Sequence, residues 1–168
     1  MKRYDEADLE AVERMAAIRD RYYPELAGIR IGMLIIYDDD EDKQVLKHGG
    51  YPAAALARVV SERDRAAGMC DAQIILDQSS YRRMTEKQRD ALIDHELHHF
   101  EVMPDKSGAP RMDTNERPRL RIRKHDHQFG WFDAIAERHG EHSVEVKQAR
   151  QLVDESGQLY FDFAAKVA

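Results

Sequence analysis

Apolar residues recur along this chain with two different periods, and the switches between them mark its elements. From residue 4 to 21, Leu9, Val12 and Ala16, and beside them Met15, Ile18 and Tyr22, fall three or four apart among charged residues. That spacing predicts an amphipathic helix, ended at Tyr22-Tyr23-Pro24. The run Ile29 to Tyr37 is nearly continuous in apolar residues, which predicts a strand internal to a sheet. The acidic cluster Asp38-Asp39-Asp40-Glu41-Asp42 lacks the Gly and closing Glu of a calcium loop and reads as a solvated turn. Gly49-Gly50-Tyr51-Pro52 predicts a turn. Residues 53–61 fit a short helix or a strand, with Leu56 to Ser61 leaning to strand. Ala72 to Asp77 predicts a second strand, and Tyr81 to Met84 a connecting turn.

The period then changes. Thr85 and Gln88 stand as a capping box, and Pro104 stops the run, so a helix is expected over 85–103. Ile93, Leu97 and Phe100 give it one apolar stripe, leaving the other side to face a cleft. A polar loop follows from Asp105 to Glu116. Arg117-Pro118-Arg119-Leu120-Arg121-Ile122-Arg123 alternates strictly, which predicts a strand, and its proline places that strand at an edge. A helix opens at Lys124 to Phe129, with Asp126 as its N-cap, and closes at Gly140. A last helix is expected over 143–154, then a polar-apolar tail from Gln158 to Phe163. The fold class is α+β: a small mixed sheet packed against the N-terminal helix and the 85–103 helix, with C-terminal helices. The expected organisation is a main domain over 1–142 and a C-terminal helix and tail over 143–168.

Composition narrows the class. A chain of 168 residues that is 42 % hydrophobic and 35 % charged has the make-up of one globular domain. Mean hydropathy of -0.71 and the lack of a long apolar run exclude a membrane span, so no membrane partner is expected. Met1-Lys2-Arg3-Tyr4-Asp5-Glu6 carries no apolar leader core, so the expected location is cytoplasmic, as a monomer. Lone Cys70 excludes an internal disulfide framework and a cysteine-based zinc ribbon. A net charge of -6 speaks against indiscriminate nucleic-acid binding.

The chemistry concentrates in Asp94-His95-Glu96-Leu97-His98-His99-Phe100. On a helix, His95 and His99 are four apart, with Cβ atoms about 5–6 Å from one another. Two imidazoles so placed reach one ion at about 2.1 Å each. Glu96 lies one residue round from His95, beside such an ion and not on it, where a base for an attacking water must stand. This is the H-E-x-x-H pattern of zinc hydrolases. With 8 histidines in 168 residues, chance supplies the pattern about 0.03 times per chain, so it is read as a site. His98 points elsewhere and is read as a bystander.

Two histidines need a third protein ligand. The H-E-x-x-H-x-x-G-x-x-H extension is excluded, because Val102 and Asp105 occupy its last two positions. Asp113 and Glu116 lie in a loop and are weak candidates; His139 and His142 flank a helix end. His125 and His127 remain open, both at a strand-to-helix junction.

The order of strand, capped helix with H-E-x-x-H, basic strand and His125-Asp126-His127-Gln128-Phe129 resembles the phage metallopeptidase family. More distantly it is similar to SprT-like (Spartan-type) zinc proteases. The resemblance spans roughly residues 25–140 and implies a zincin-like fold with that stretch as its core. It implies that His125 is the third ligand of a Zn2+ ion, Phe129 a packing residue and His127 free. The implied activity is peptide hydrolysis, with a protein or peptide substrate in a bacterial or phage-infected cytoplasm. The cysteine-rich ribbon of many SprT-like relatives is absent, so a DNA-linked role does not follow from the likeness.

Glu96 is the expected general base, taking a proton from water and returning it to the leaving amine. Tyr81, His127 and the arginine stripe are candidates for steadying the oxyanion. Arg119, Arg121 and Arg123 on one strand face either answer acidic neighbours such as residues 38–42 or, with His127, form a rim for substrate or a phosphate backbone. A different class of function is an interaction protein on DNA machinery. Gln158, Leu159, Phe161 and Phe163 fit the pattern of sliding-clamp-binding peptides, so DNA or a sliding clamp is an alternative partner. A metal-binding domain without turnover is the remaining reading.

Overall fold

The computed structural model describes residues 1–125 and 131–156. It is a mixed α+β structure whose chain forms two compact units, the first ending at Lys124 and the second beginning at His125. The first unit opens with strand β1, Arg3–Glu6, and helix α1, Leu9–Tyr22. Strand β2 is Ile31–Tyr37, and a hairpin of β3, Lys47–His48, and β4, Tyr51–Pro52, follows. Strand β5, Ala55–Val59, helix α2, Glu62–Ala66, and strand β6, Ala72–Asp77, come next. Helices α3, Gln78–Arg82, and α4, Glu86–His98, lead to strands β7, Phe100–Val102, and β8, Leu120–Ile122.

The main sheet has the order β1-β2-β6-β5. β2 and β6 run parallel, Ile31 opposite Ala72, and both outer strands are antiparallel to their neighbours. β6 is buried at every position, as expected for a central strand covered on both faces. One face packs Ile75 against Ile36, Val45 and Leu46. Asp77, with no exposed surface, holds that packing in place. Its carboxylate accepts from Val45 N at 2.8 Å and Leu46 N at 2.9 Å, and caps α3 through Ser80 N at 3.0 Å. Burial alone would push this carboxyl up, but the four hydrogen bonds from Leu46, Val45, Ser80 and Ser79 bring it below the usual range.

Several expectations from the sequence are corrected. The 4–21 helix begins only at Leu9, where the Asp8 side chain accepts from Ala11 N at 2.8 Å. The residues before it form edge strand β1, every one of them exposed; main-chain pairing with β2 holds it, so it leaves no apolar signature. Of the two apolar stripes on α1, Met15 and Ile18 are buried with Ala11, whereas Leu9 and Val12 face solvent. Gly49 and Gly50, with φ of 56° and 90°, form the tight turn of the β3–β4 hairpin. Residues 81–84 do not form a plain turn, because α3 occupies 78–82 on its Asp77 cap.

The 85–103 helix is cut short. Its capping box is present at Thr85 and Gln88, but α4 ends at His98 and the chain continues as β7, with Phe100 opposite Ile122. Nor does α4 keep an open side in its last turns. It packs against α1 and β5, and Ala91 to Leu97 are buried all the way round. In the basic stretch only 120–122 are strand, with Leu120 buried and Ile122 exposed.

In the second unit, helix α5 spans Asp133–His139 and closes on Gly140 at φ 51°. Asp126, the expected N-cap of a longer helix, lies outside the described residues. Helix α6, Val144–Ser156, is capped by Ser143 Oγ, which accepts from Val146 N at 3.1 Å. No described helix is long and apolar enough to cross a membrane.

Candidate metal centre

Helix α4 brings the first two histidines together although it ends between them. His99 is its C-cap but keeps helical backbone angles, φ -68° and ψ -22°, so the four-residue spacing still stacks it over His95. The two rings meet edge to face with centroids 5.0 Å apart. His95 is 8 % exposed and Glu96 4 %, so with fully buried Asp94 this turn of helix places three consecutive polar side chains in the interior.

The β7–β8 hairpin orients the second histidine. Its antiparallel ladder continues one step past Phe100 and Ile122: Arg123 N donates to His99 O at 2.7 Å. The Arg123 carbonyl in turn lies 2.9 Å from His99 Nδ1. A carbonyl only accepts, so Nδ1 carries the hydrogen in this contact, the arrangement in which Nε2 is the ligating nitrogen of a metal-bound imidazole. Two residues after Arg123 comes His125, whose ring stands 4.9 Å from that of Phe132.

One nitrogen from each of His95, His99 and His125 lies within 4.8 Å of the others, a grouping able to hold a metal ion. A tetrahedral ion with bonds of about 2.1 Å needs donors about 3.4 Å apart, so small side-chain rotations would close the group on it. Three imidazoles with one open position are the donor set of hydrolytic zinc sites, and the committed tautomer of His99 fits that role.

The other sequence candidates fall elsewhere. Asp113 is occupied as a turn cap, accepting from Asn115 N at 2.8 Å and Arg117 N at 3.0 Å, and its carboxylate faces Arg65 at 3.3 Å. The Arg117 amide, with Asn115 and the nearby guanidinium groups, holds this carboxyl below its ordinary value. Glu116 is exposed at φ 57°. Tyr81 lies on α3, buried beneath the Arg89 guanidinium, and burial raises its phenol. His139 and His142 are absent from any metal-capable group among the described residues. His127 and Phe129 lie outside the described residues, as do Gln158, Leu159, Phe161 and Phe163.

Each arginine of the basic stretch has a partner within the chain. Arg117 pairs with Asp71 at 2.7 Å, Arg119 with Glu62 at 2.9 Å, and Arg121 with Glu101 through two bonds of 2.8 and 2.7 Å. Arg121 holds the Glu101 carboxyl below its usual range and is itself raised. Arg123 reaches His98 Nε2 at 3.0 Å. The stretch does answer acidic neighbours, but these are Asp71, Glu62 and Glu101 and not residues 38–42. His98 points away from the three-histidine group, as expected, and is held elsewhere: its Nδ1 lies 3.3 Å from the Tyr23 hydroxyl, which also bonds to the buried carboxylate of Asp94. The sequence carries no local signal for this cluster, because Tyr23 sits 71 residues from Asp94.

Fold and site together define a mixed α+β protein with three histidines grouped to hold a metal ion. The match of a family model over residues 3–156 shows that the chain belongs to the family described as putative phage metallopeptidase. No curated protein and no solved structure matches it.

Proposed function

We propose that this protein is a zinc-dependent peptidase of zincin-like design, in which His95, His99 and His125 hold Zn2+ and Glu96 is the general base. The observation that carries the reading is the convergence of the three imidazoles within 4.8 Å, with Glu96 next to the first of them on the same buried turn. Zinc held there supplies a Lewis acid that polarises a peptide carbonyl and acidifies water. The Glu96 carboxylate accepts the proton of the attacking water and passes it to the departing amine, a transfer worth about 10²–10⁴ in rate. The Arg123 carbonyl holds the His99 ring through Nδ1, and Nε2 is the nitrogen that would be offered to the ion. The membership of the family supports a protein or peptide as substrate.

The deciding experiment measures zinc per chain after exhaustive dialysis, for the parent and for His125→Ala and His127→Ala. One zinc in the parent, lost in His125→Ala and kept in His127→Ala, is the expected result. Loss only in His127→Ala would keep the enzyme class and move the third ligand. A parent that binds no zinc even after reconstitution would overturn the reading.

A further inference from the structure

The contacts of Tyr23, His98 and Arg123 have a direction. Arginine has only donors, so Arg123 Nη1 donates to His98 Nε2 across 3.0 Å. An imidazole that accepts at Nε2 carries its hydrogen at Nδ1, which then points at the Tyr23 oxygen 3.3 Å away. The Tyr23 hydroxyl sends its own hydrogen to Asp94, whose side chain has no exposed surface. In the chain Arg123 to His98 to Tyr23 to Asp94 each contact therefore pairs one donor with one acceptor.

We propose that Tyr23, His98 and Arg123 are positioning residues that hold His99 at the angle metal binding requires. The inference rests on the three-histidine reading above and goes beyond it. Arg123 grips two adjacent residues of α4 in different ways: its main chain orients the His99 ring, and its guanidinium anchors on His98. Tyr23 buttresses His98 from the chain segment that ends α1, with its ring edge-on to the imidazole at 5.9 Å. The Arg123 carbonyl is held near His99 Nδ1 by the main-chain bond from Arg123 N to His99 O, and the guanidinium adds a further attachment at His98. Losing partners that orient a metal-bound imidazole commonly lowers metal affinity about 10–100-fold.

The test compares the parent with His98→Leu, His98→Gln, Arg123→Ala and Tyr23→Phe. Zinc affinity is read by competition with a chromophoric chelator, ligand geometry by the visible spectrum of the cobalt-substituted protein, and folding by the melting temperature of the metal-free protein. His98→Leu and Arg123→Ala are expected to bind one zinc about 10–100-fold more weakly with an altered cobalt spectrum. His98→Gln, which keeps an acceptor for Arg123, should recover part of the affinity. Tyr23→Phe, nearly the same shape, provides a variant that folds and should show a smaller loss in the same direction. Parent-like affinity and spectrum in His98→Leu and Arg123→Ala would overturn the proposal while leaving the zinc site standing. So would equal losses in His98→Leu and His98→Gln that follow the fall in metal-free melting temperature, since these report general destabilisation. If the parent bound zinc but His95→Ala bound it equally well, the underlying site assignment would fall instead.

Discussion

Glu96 illustrates how much depends on one side chain that would not touch the ion. Glu96→Gln keeps the volume and the helix but removes the proton acceptor, so hydrolysis should drop about 10²–10⁴-fold. Zinc content should stay at the parent value, and kcat measured beside metal stoichiometry checks both. Asp77 is the structural counterpart. Asp77→Ala strands the buried amides of Val45 and Leu46, and each unsatisfied group costs about 1–3 kcal/mol. Its carboxyl is depressed in the folded protein, so its contribution is fully present above the unfolded value of about 3.9 and is lost as pH falls through the folded pKa. Urea unfolding from pH 6 down to about pH 2 should show the Asp77 loss in the parent setting in only below about pH 4. Asp77→Asn should be less stable at neutral pH and show a shallower acid limb.

At the scale of elements, the site depends on where α4 starts and where the β7–β8 hairpin delivers the chain. Thr85→Ala removes one half of the capping box, costing about 1 kcal/mol, and should lower the melting temperature by roughly 2–4 °C. Zinc binding at the proposed site, about three turns away, should be unaffected. The hairpin register matters more. An Ala inserted between Lys124 and His125 advances the third histidine by about 3.3 Å along the chain. Zinc affinity in a chelator competition should then fall by at least tenfold with little change in metal-free melting temperature. The sequence predicted that α4 would run to residue 103, and the structure ends it five residues earlier because Phe100 is buried in the hairpin instead. Proline marks the last place a helix can stop. It does not say whether a strand partner ends it sooner.

Across the whole molecule, a metal held by residues distant in sequence should stabilise the fold. At zinc concentrations near 100 times Kd the gain is about 2.7 kcal/mol, so a chelator should lower the melting temperature by roughly 5–10 °C and abolish hydrolysis. Added zinc should restore both. A second long-range tie is the buried cluster of Arg65, Asp71, Asp113 and Arg117, where Asp71 faces Arg65 at 2.7 Å with both side chains 2 % exposed. Removing one member leaves a buried charge uncompensated, so Asp71→Ala should cost about 3–5 kcal/mol. Calorimetry on the zinc-free protein separates this loss from metal binding.

Features that depend on neighbours a few residues apart were legible in the amino-acid order. The capping box at Thr85 and Gln88, the His95–His99 spacing, the β6 strand and the Gly140 stop are all local, because helix and strand periodicity fix them within a turn or two. Tertiary structure decided what depends on partners far along the chain. The exposed polar strand β1 exists only through its pairing with β2, and the arginine stripe is held by Asp71, Glu62, Glu101 and His98. Spacing alone left His125 and His127 equivalent; among the described residues His125 groups with His95 and His99, and His127 lies outside them. The tautomer of His99 could not be read from its neighbours either, because its hydrogen goes to a carbonyl 24 residues away.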